Sequence, residues 1–342
     1  MTTKIIHIDE KNAKTPDELE KLREAAAILA EGGLVVFPTE TVYGLGANAL
    51  DFSAVKKIYE VKGRPPDNPL IVHVADPKEI DKYAELTKSA EEIIQKFLPG
   101  PLTLVLKKKG NALDASCKLD TIAIRSPKNK TAQKLIELAG VPIAAPSANL
   151  SGKPSHTEPA YIIKDLDGKV DMIICGENCE IGLESTVISF NPDDSLNILR
   201  SGYITKEMLS DYTIREAGPE SGEALRSPGM KYTHYSPNAP LYILSSGSDA
   251  KIIDFVKMQG KKAGFLCFDE FLGYFKEREN IISIGPKHDL AAQAKNLFCA
   301  LNRFNALGVE LIYSIEPQRA GIGEAIYNRL IRAAGGKVIK LN

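Results

Sequence analysis

Apolar residues recur at helical spacing from about Pro16 to Glu31, where Leu19, Leu22, Ala26 and Leu29 fall on one face. Thr15 can cap this helix, Pro16 suits its first position, Glu18 stands where a capping box needs it, and Gly32 and Gly33 stop it. The pattern then shifts to short unbroken apolar runs: Leu34–Phe37, Leu70–Val74, Leu102–Leu106, Thr121–Ile124, Val141–Ala144, Met172–Ile174 and Ser185–Phe190. Runs of this length read as buried strands. Helices are predicted at Ser53–Lys62, with Val55, Ile58 and Tyr59 inward and Gly63 as terminator, and at Ala90–Phe97 and Thr131–Ala139. Together these elements predict a mixed α/β domain over residues 1–205.

Between about Glu216 and Pro240 the rhythm breaks. Pro219, Pro228, Pro237 and Pro240, with Gly218, Gly222 and Gly229, forbid a long helix or a central strand. Residues 206–240 therefore read as a linker, although Tyr232, His234 and Tyr235 beside Lys231 are unusual for a solvated tether. Beyond it, strands at Leu241–Leu244, Ala263–Cys267, Ile281–Ile284 and Leu311–Ile315 alternate with helices near Asp249–Met258, Leu290–Leu307 and Gly323–Ala334. Such alternation predicts a parallel sheet, and residues 241–342 are expected to form a small Rossmann-like domain.

Composition narrows the chemistry. A length of 342 residues suits roughly two domains, and 43 Lys+Arg against 44 Asp+Glu leave a formal charge of −1. That balance argues against attachment to nucleic acid or anionic membrane by bulk charge, while leaving room for a local basic pocket. No apolar run approaches the roughly 18 residues of a membrane span, and Met1–Asp9 lacks the apolar stretch of a secretory signal. Five cysteines do not make a disulfide framework, so a cytoplasmic protein with reduced thiols is expected. No GxxxxGK[ST] loop occurs. Gly321-Ile322-Gly323 resembles a dinucleotide fingerprint only in part, since Ile326 occupies the third glycine's place, and it reads as the turn opening the last helix. Cys175 and Cys179 lack a second ligand pair at zinc spacing.

Four loops of the first domain carry candidate chemistry. Pro38–Gly46 (PTETVYGLG) follows a buried strand and offers hydroxyls and glycines; by itself it reads more plainly as a glycine-rich turn with capping threonines. Lys62–His73 brings Lys62 and Arg64 into a proline-braced loop with Asn68, an arrangement that suits a polyphosphate, or else the ordinary pairing of cations with a helix C-terminus. His73 lies in an apolar strand, where a satisfied core histidine is the plainer reading. Thr121–Pro127 places Arg125 at a strand end, fit for a small carboxylate or for a structural ion pair. In Ala144–Ser155 small residues leave room beside Ser147, Asn149, Lys153 and Ser155.

In combination and in this order the motifs are specific. PTETVYGLG, KGRP…NPLIVHV, TIAIR and APSANLSGKPS closely resemble the YrdC-like threonylcarbamoyl-AMP synthase family, as do Gly182–Val187, Ile198–Gly202 and Ser227–Pro237. The likeness runs from about Lys4 to Pro237, and the extra domain, ending in Gly321–Leu330, resembles the two-domain branch. The resemblance implies a YrdC-like mixed twisted sheet with a concave active-site face, plus the smaller Rossmann-like domain. It implies that L-threonine, bicarbonate or CO2, and ATP are joined into threonylcarbamoyl-AMP with release of pyrophosphate. A separate tRNA threonylcarbamoyl transferase complex is then expected to take the product to tRNAs reading ANN codons, with weak tRNA contact and no membrane partner.

By motif position, the resemblance places Thr41, His73, Arg125, Ala145 and Ser185 around threonine. Arg64, Asn68, Thr121, Ser147, Asn149, Ser155, Arg200 and Tyr235 fall around ATP. Lys62, Arg64 and Arg125 are expected to act by charge and positioning, with Mg²⁺ arriving as Mg-ATP and no metal ligands assigned. Cys117 and Cys175 lie outside the motif loops, so no nucleophile is expected, and no general base is named. Tyr232, His234 and Tyr235 are expected to fold over the bound nucleotide as a lid. Thr233 stands where relatives often have a basic residue. The main alternative is a non-catalytic module binding double-stranded RNA or tRNA. Carbamoyl transfer in hydrogenase maturation would call for cysteine-rich zinc segments that this chain lacks, and an ATP sensor is a further alternative.

Overall fold

The computed structural model describes residues 2–10, 15–215 and 234–341. Its described residues form two compact units. The first comprises the described residues of 1–151, 156–180 and 184–231, and the second those of 152–155, 181–183 and 232–342.

The first unit is built on eleven strands: β1 (Lys4–His7), β2 (Val35–Phe37), β3 (Gly44–Asn48), β4 (Ile71–His73), β5 (Leu102–Lys107), β6 (Thr121–Arg125), β7 (Ile143–Ala144), β8 (Met172–Cys175), β9 (Thr186–Phe190), β10 (Leu196–Arg200) and β11 (Ile214–Arg215). They lie in the order β1-β8-β2-β3-β7-β4-β6-β5-β9-β10-β11. Parallel pairs such as β4 with β6 alternate with antiparallel ones such as β5 with β6, so the sheet is mixed. Its helices are α1 (Pro16–Ala30), α2 (Phe52–Lys62), α3 (Lys88–Phe97), α4 (Lys130–Ala139) and α5 (Pro159–Leu166). Thr15 caps α1 as its sequence predicts, and Gly63, with φ of 61°, ends α2 in the left-handed conformation that glycine adopts without strain.

Strand alternation divides the core. One face buries Val72, Leu104, Ile122, Ile124 and Ile188 against Val55 and Ile58 of α2, Ile93 of α3 and Ile162 of α5. On the other face, Val35, Phe37, Ile143 and Met172 pack under Leu22 and Leu29 of α1 and Leu135 of α4. Further along that second face there is only a small cluster made of strand residues: Ile71, Val105, Ala123, Val187 and Leu199. Because side chains alternate along a strand, His73 shares this face with Ile71, Thr121 and Arg125 share it with Ala123, and Thr103 with Val105.

Most expected elements occur within a few residues of their expected ends. The exceptions have physical reasons. β3 begins at Gly44, inside what reads as a loop, because Gly44 and Gly46 are poor strand formers. Gly46 is required by packing: a Cβ there would lie 2.7 Å from Phe37 Cε1 and 2.9 Å from Ile143 Cγ2. β1, with one buried residue, and the eight-residue α5 give little periodic signal. β11 pairs with β10 within the stretch read as linker.

The second unit contains β12 (Leu241–Ser245), α6 (Asp249–Lys257), β13 (Ala263–Cys267), α7 (Asp269–Leu272), β14 (Ile281–Ser283), α8 (Leu290–Leu307), β15 (Leu311–Ile315), α9 (Ile322–Ala333) and β16 (Val338–Lys340). Its sheet, ordered β14-β13-β15-β12-β16, is parallel throughout, as the alternation predicts. Gly321 caps α9, and a Cβ on Gly323 would lie 1.8 Å from the Gln318 carbonyl oxygen. Close packing thus requires the second glycine, while the first turns the chain at φ of 53° in open space.

Candidate active site

The Pro38–Gly46 loop leaves β2 and folds on itself through one hydroxyl. Thr39 Oγ1 donates to the Val42 carbonyl at 2.6 Å and accepts from the Thr41 and Val42 amides at 3.2 and 3.3 Å. With the Thr39 proton committed, the 2.8 Å contact between the two threonine hydroxyls must have Thr41 as donor. Thr41 Oγ1 in turn accepts from Arg125 Nη1 at 2.8 Å. The Thr41 proton is therefore committed, and what its oxygen still offers is acceptor capacity.

Arg125 is nearly enclosed. Its Nε donates to the Gly100 carbonyl at 3.2 Å, and its Nη2 lies 2.6 Å from Glu40 Oε1. Only 5% of the Arg125 side chain and 4% of the Glu40 side chain is exposed. The ion-pair reading of Arg125 is what the structure shows, and these three hydrogen bonds use three of its five N–H groups. His73 is paired in register with Arg125 through their strands. Burial, with the Arg125 charge adding to it, lowers the imidazole pKa to about 3, so the ring is neutral at physiological pH. Backbone hydrogen bonds to Ile71 and Ile143 act on the ring, while its Nδ1 is buried with no hydrogen-bond partner, so this core histidine is satisfied only in part.

Ser185 lies further along the same face. Its hydroxyl is 2.7 Å from Thr103 Oγ1, and its carbonyl accepts from Arg200 Nε and Nη2 at 3.1 and 2.9 Å. The glycine of the Arg200-Ser201-Gly202 motif permits this: a Cβ at Gly202 would sit 2.4 Å from the Thr186 amide nitrogen. Ala145 borders this face, its amide donating to the Ile71 carbonyl at 2.9 Å. Thr121 starts the strand that Arg125 ends, roughly 13 Å away at about 3.3 Å per residue.

The remaining loops are braced by their cations. Lys62, 3% exposed, donates to the Ser147 and Asn149 carbonyls, while the Ser151 amide returns a bond to the Lys62 carbonyl at 2.8 Å. Burial drives its ammonium pKa well below the ordinary lysine range, the Arg64 charge adding to the push. Lys62, expected to face phosphate, is in this structure a clamp on the Ser147–Asn149 backbone. Ser147 Oγ donates to Asn149 Oδ1 at 2.6 Å. Arg64 turns back on its own loop, donating to the Asn68 and Pro69 carbonyls at 3.2 and 2.9 Å. It also lines a cavity of about 980 Å³ with Val55, Tyr59, Pro66 and Leu119, and the structure does not bring it to Arg125.

Ser155 and Tyr235 belong to the second unit. There Asn302 Nδ2 donates to the Ser155 carbonyl at 3.3 Å, and the Tyr235 ring packs on Phe298 with centroids 5.2 Å apart. The expected lid falls largely on 216–233, including Tyr232 and Thr233, outside the described residues. Burial raises the thiols of Cys117, Cys175, Cys179 and Cys267, which suits inert core cysteines. Among the described residues no group of three or more His, Cys, Asp or Glu side chains converges as a metal cage.

The sequence alone assigns no role to two residues, Glu40 and His156. Glu40 stands within PTET between two threonines, whose hydroxyls are the plainer signal there. His156, 2.9 Å from Asp165, anchors a segment whose carbonyl accepts the Tyr43 amide at 3.0 Å. No local pattern pointed to that pair.

Residues 27–202 match the family described as "Telomere recombination", and residues 204–335 the family described as "Threonylcarbamoyl-AMP synthase, C-terminal domain". A threonylcarbamoyl-AMP synthase of Bacillus subtilis is 44% identical over 330 residues, covering 94% of each chain. The chain belongs to the threonylcarbamoyl-AMP synthase family. A member from Pyrococcus abyssi is 40% identical, covering 96% of this chain and 98% of its own. The crystal structure of P. abyssi Sua5 complexed with L-threonine superposes with a TM-score of 0.86 at 38% identity, covering 99% of this chain and 100% of that one. The YrdC-like mixed sheet and the separate C-terminal domain expected from the motifs are thus the architecture of this two-domain synthase family.

Proposed function

We propose that this chain joins L-threonine, bicarbonate or CO2, and ATP into threonylcarbamoyl-AMP, releasing pyrophosphate. The observation that carries this reading is the meeting of Arg125, Thr41 and neutral His73 on one sheet face, in a chain of this family. The threonine carboxylate takes the two remaining N–H groups of Arg125. Its hydroxyl donates to Thr41, and His73 Nδ1 supplies a further polar contact without adding charge. Ala145 and Ser185 line the rest.

The threonine carbamate then attacks the α-phosphorus of ATP. A carbamate oxygen forms the new bond to phosphorus, the bond from that phosphorus to the bridging oxygen breaks, and pyrophosphate leaves. This displacement depends on alignment and charge compensation. Lys62 holds Ser147 and Asn149 in position, Arg64 braces Asn68, and Arg200 adds positive charge, with Thr121 completing the first unit's share of the ATP assignment. Mg²⁺ enters as the counter-ion of ATP. A tRNA threonylcarbamoyl transferase complex receives the product in the cytoplasm. Among the described residues no helix is long and apolar enough to cross a membrane.

Purified protein mixed with ATP, L-threonine and labelled bicarbonate tests the reading. Pyrophosphate and an adenylate of the threonylcarbamoyl mass should appear only when all three are present. ATP turnover independent of threonine would overturn it, and steeply salt-dependent RNA binding without turnover would favour the non-catalytic alternative.

A further inference from the structure

Glu40 has no role in the account so far, yet it is among the most enclosed carboxylates of the first unit. It is 5% exposed, with Oε1 2.6 Å from Arg125 Nη2 and Oε2 accepting the Asn129 amide at 3.4 Å. A buried ion pair is seldom the most stable way to fill a core, because desolvation of both charges offsets their attraction. The pair also stands beside a second costly feature, the unpartnered Nδ1 of His73. Two uneconomical arrangements on one small patch, next to the ligand-facing hydroxyl of Thr41, point to a ligand that completes both.

The charges identify its class. An unpaired arginine would hold any small carboxylate, and it would also hold bicarbonate, which the proposed reaction consumes. Glu40 cancels that attraction: Glu40, Arg125 and neutral His73 sum to zero. A ligand that is itself a zwitterion keeps the sum at zero and adds an ammonium that a carboxylate can accept. A simple anion would instead meet Glu40 as a like charge, which disfavours it.

We propose that Glu40 and Arg125 together read the amino-acid head group, Arg125 taking the carboxylate and Glu40 the ammonium, so that Glu40 makes the pocket selective for amino acids over simple carboxylates and bicarbonate. The inference rests on the threonine reading above. Glu40 has acceptor capacity for this: its two oxygens offer about four lone-pair sites, of which Arg125 and the Asn129 amide use two.

Calorimetric titration of the full chain and of Glu40→Gln tests the proposal. Three probes are used without ATP: L-threonine, 3-hydroxybutyrate (threonine without its amine) and 1-amino-2-propanol (threonine without its carboxylate). The parent should prefer threonine to 3-hydroxybutyrate by at least about tenfold. In E40Q that preference should collapse, threonine weakening by about tenfold or more while 3-hydroxybutyrate holds or tightens, and bicarbonate should become a competitor of threonine. Should E40Q fail to fold, Glu40→Asp, which keeps the charge but withdraws it by one methylene, should show the same loss of preference in smaller degree. An E40Q that keeps the parent's preference, or loses both ligands in proportion, overturns the inference and leaves the threonine reading intact. A parent that binds no threonine overturns that reading and the inference with it.

Discussion

The two sheets of this protein use the same strand chemistry for different ends. In the second unit β12, β13, β14 and β15 carry no charged residue, and every residue of β13 is buried. In the first unit, β4, β6 and β10 end in His73, Arg125 and Arg200, all buried. The difference follows from what covers each surface. Apolar strands suit a sheet packed on both faces. The first sheet has a stretch where α1 and α4 no longer contribute and only a small strand cluster remains. Polar strand ends are placed where helices stop: His73 and Arg125 adjoin in register, and Arg200 closes on the Ser185 carbonyl.

That contrast can be broken most severely at Arg125. Arg125→Ala leaves Glu40 buried without its partner, and stability should fall by about 3–5 kcal/mol. Threonine-dependent pyrophosphate release should fall at least about a hundredfold even below the melting transition, the loss expected when a charged contact of about 3 kcal/mol is removed. Denaturant titration and a steady-state assay read the two effects. Activity retained would show Arg125 to be structural only.

Phe265→Ala in the second sheet should lower stability about as much, about 3–5 kcal/mol, by opening a cavity in a fully enclosed ring site. The KM for threonine of the protein that remains folded should stay within about twofold of the parent, a change below about 0.5 kcal/mol. A large change in KM would show that the two sheets are not separable in function.

Lys62→Met is a smaller perturbation. It removes the donor for two buried carbonyls, with an expected cost of about 2 kcal/mol, and loosens the Ser147–Asn149 turn. The KM for ATP should rise more than the KM for threonine. An equal rise in both would place Lys62 with the Arg125 group instead.

The smallest effect is a pH dependence. The folded pKa of His73, about 3, lies below the ordinary histidine value, so between about pH 6.5 and 3 the unfolded chain binds a proton that the folded one refuses. The full contribution is therefore present above about pH 6.5 and is lost as pH falls. By pH 5 the loss is about 2 kcal/mol relative to neutral pH. Unfolding free energies measured from pH 7 to 5 should lose about this much more in the parent than in His73→Phe. Parallel profiles would mean that His73 is already protonated in the fold.

The periodic elements were legible because each buries a continuous stripe: α1, α8 and the strands at Leu102 and Ala263 need no tertiary information. β3 was not legible, since Gly46 is chosen by the approach of Phe37 and Ile143, residues that only the fold brings near. The motifs singled out Arg125, Thr41 and Ser185, but the partners these residues have in the fold were out of reach. Glu40 adjoins Thr41 in sequence and still could not be read as the partner of Arg125, because that pairing spans 85 residues. Lys62 shows the same limit: its place at a helix end does not tell that the carbonyls of Ser147 and Asn149 lie beside it.

Those separations bear on biogenesis. Arg125 reaches back 84 and 85 residues to Thr41 and Glu40, Lys62 reaches forward 85 and 87 to Ser147 and Asn149, and Arg200 completes the Ser185 corner. At a translation rate of about 5–20 residues per second, many seconds pass between emergence of the first loop and arrival of the last strand end. During that interval Glu40 waits in water for Arg125, and Lys62 waits for the Ser147 and Asn149 carbonyls. The Ser185 corner is the last of these contacts that synthesis makes available, because its partner Arg200 emerges after all the others.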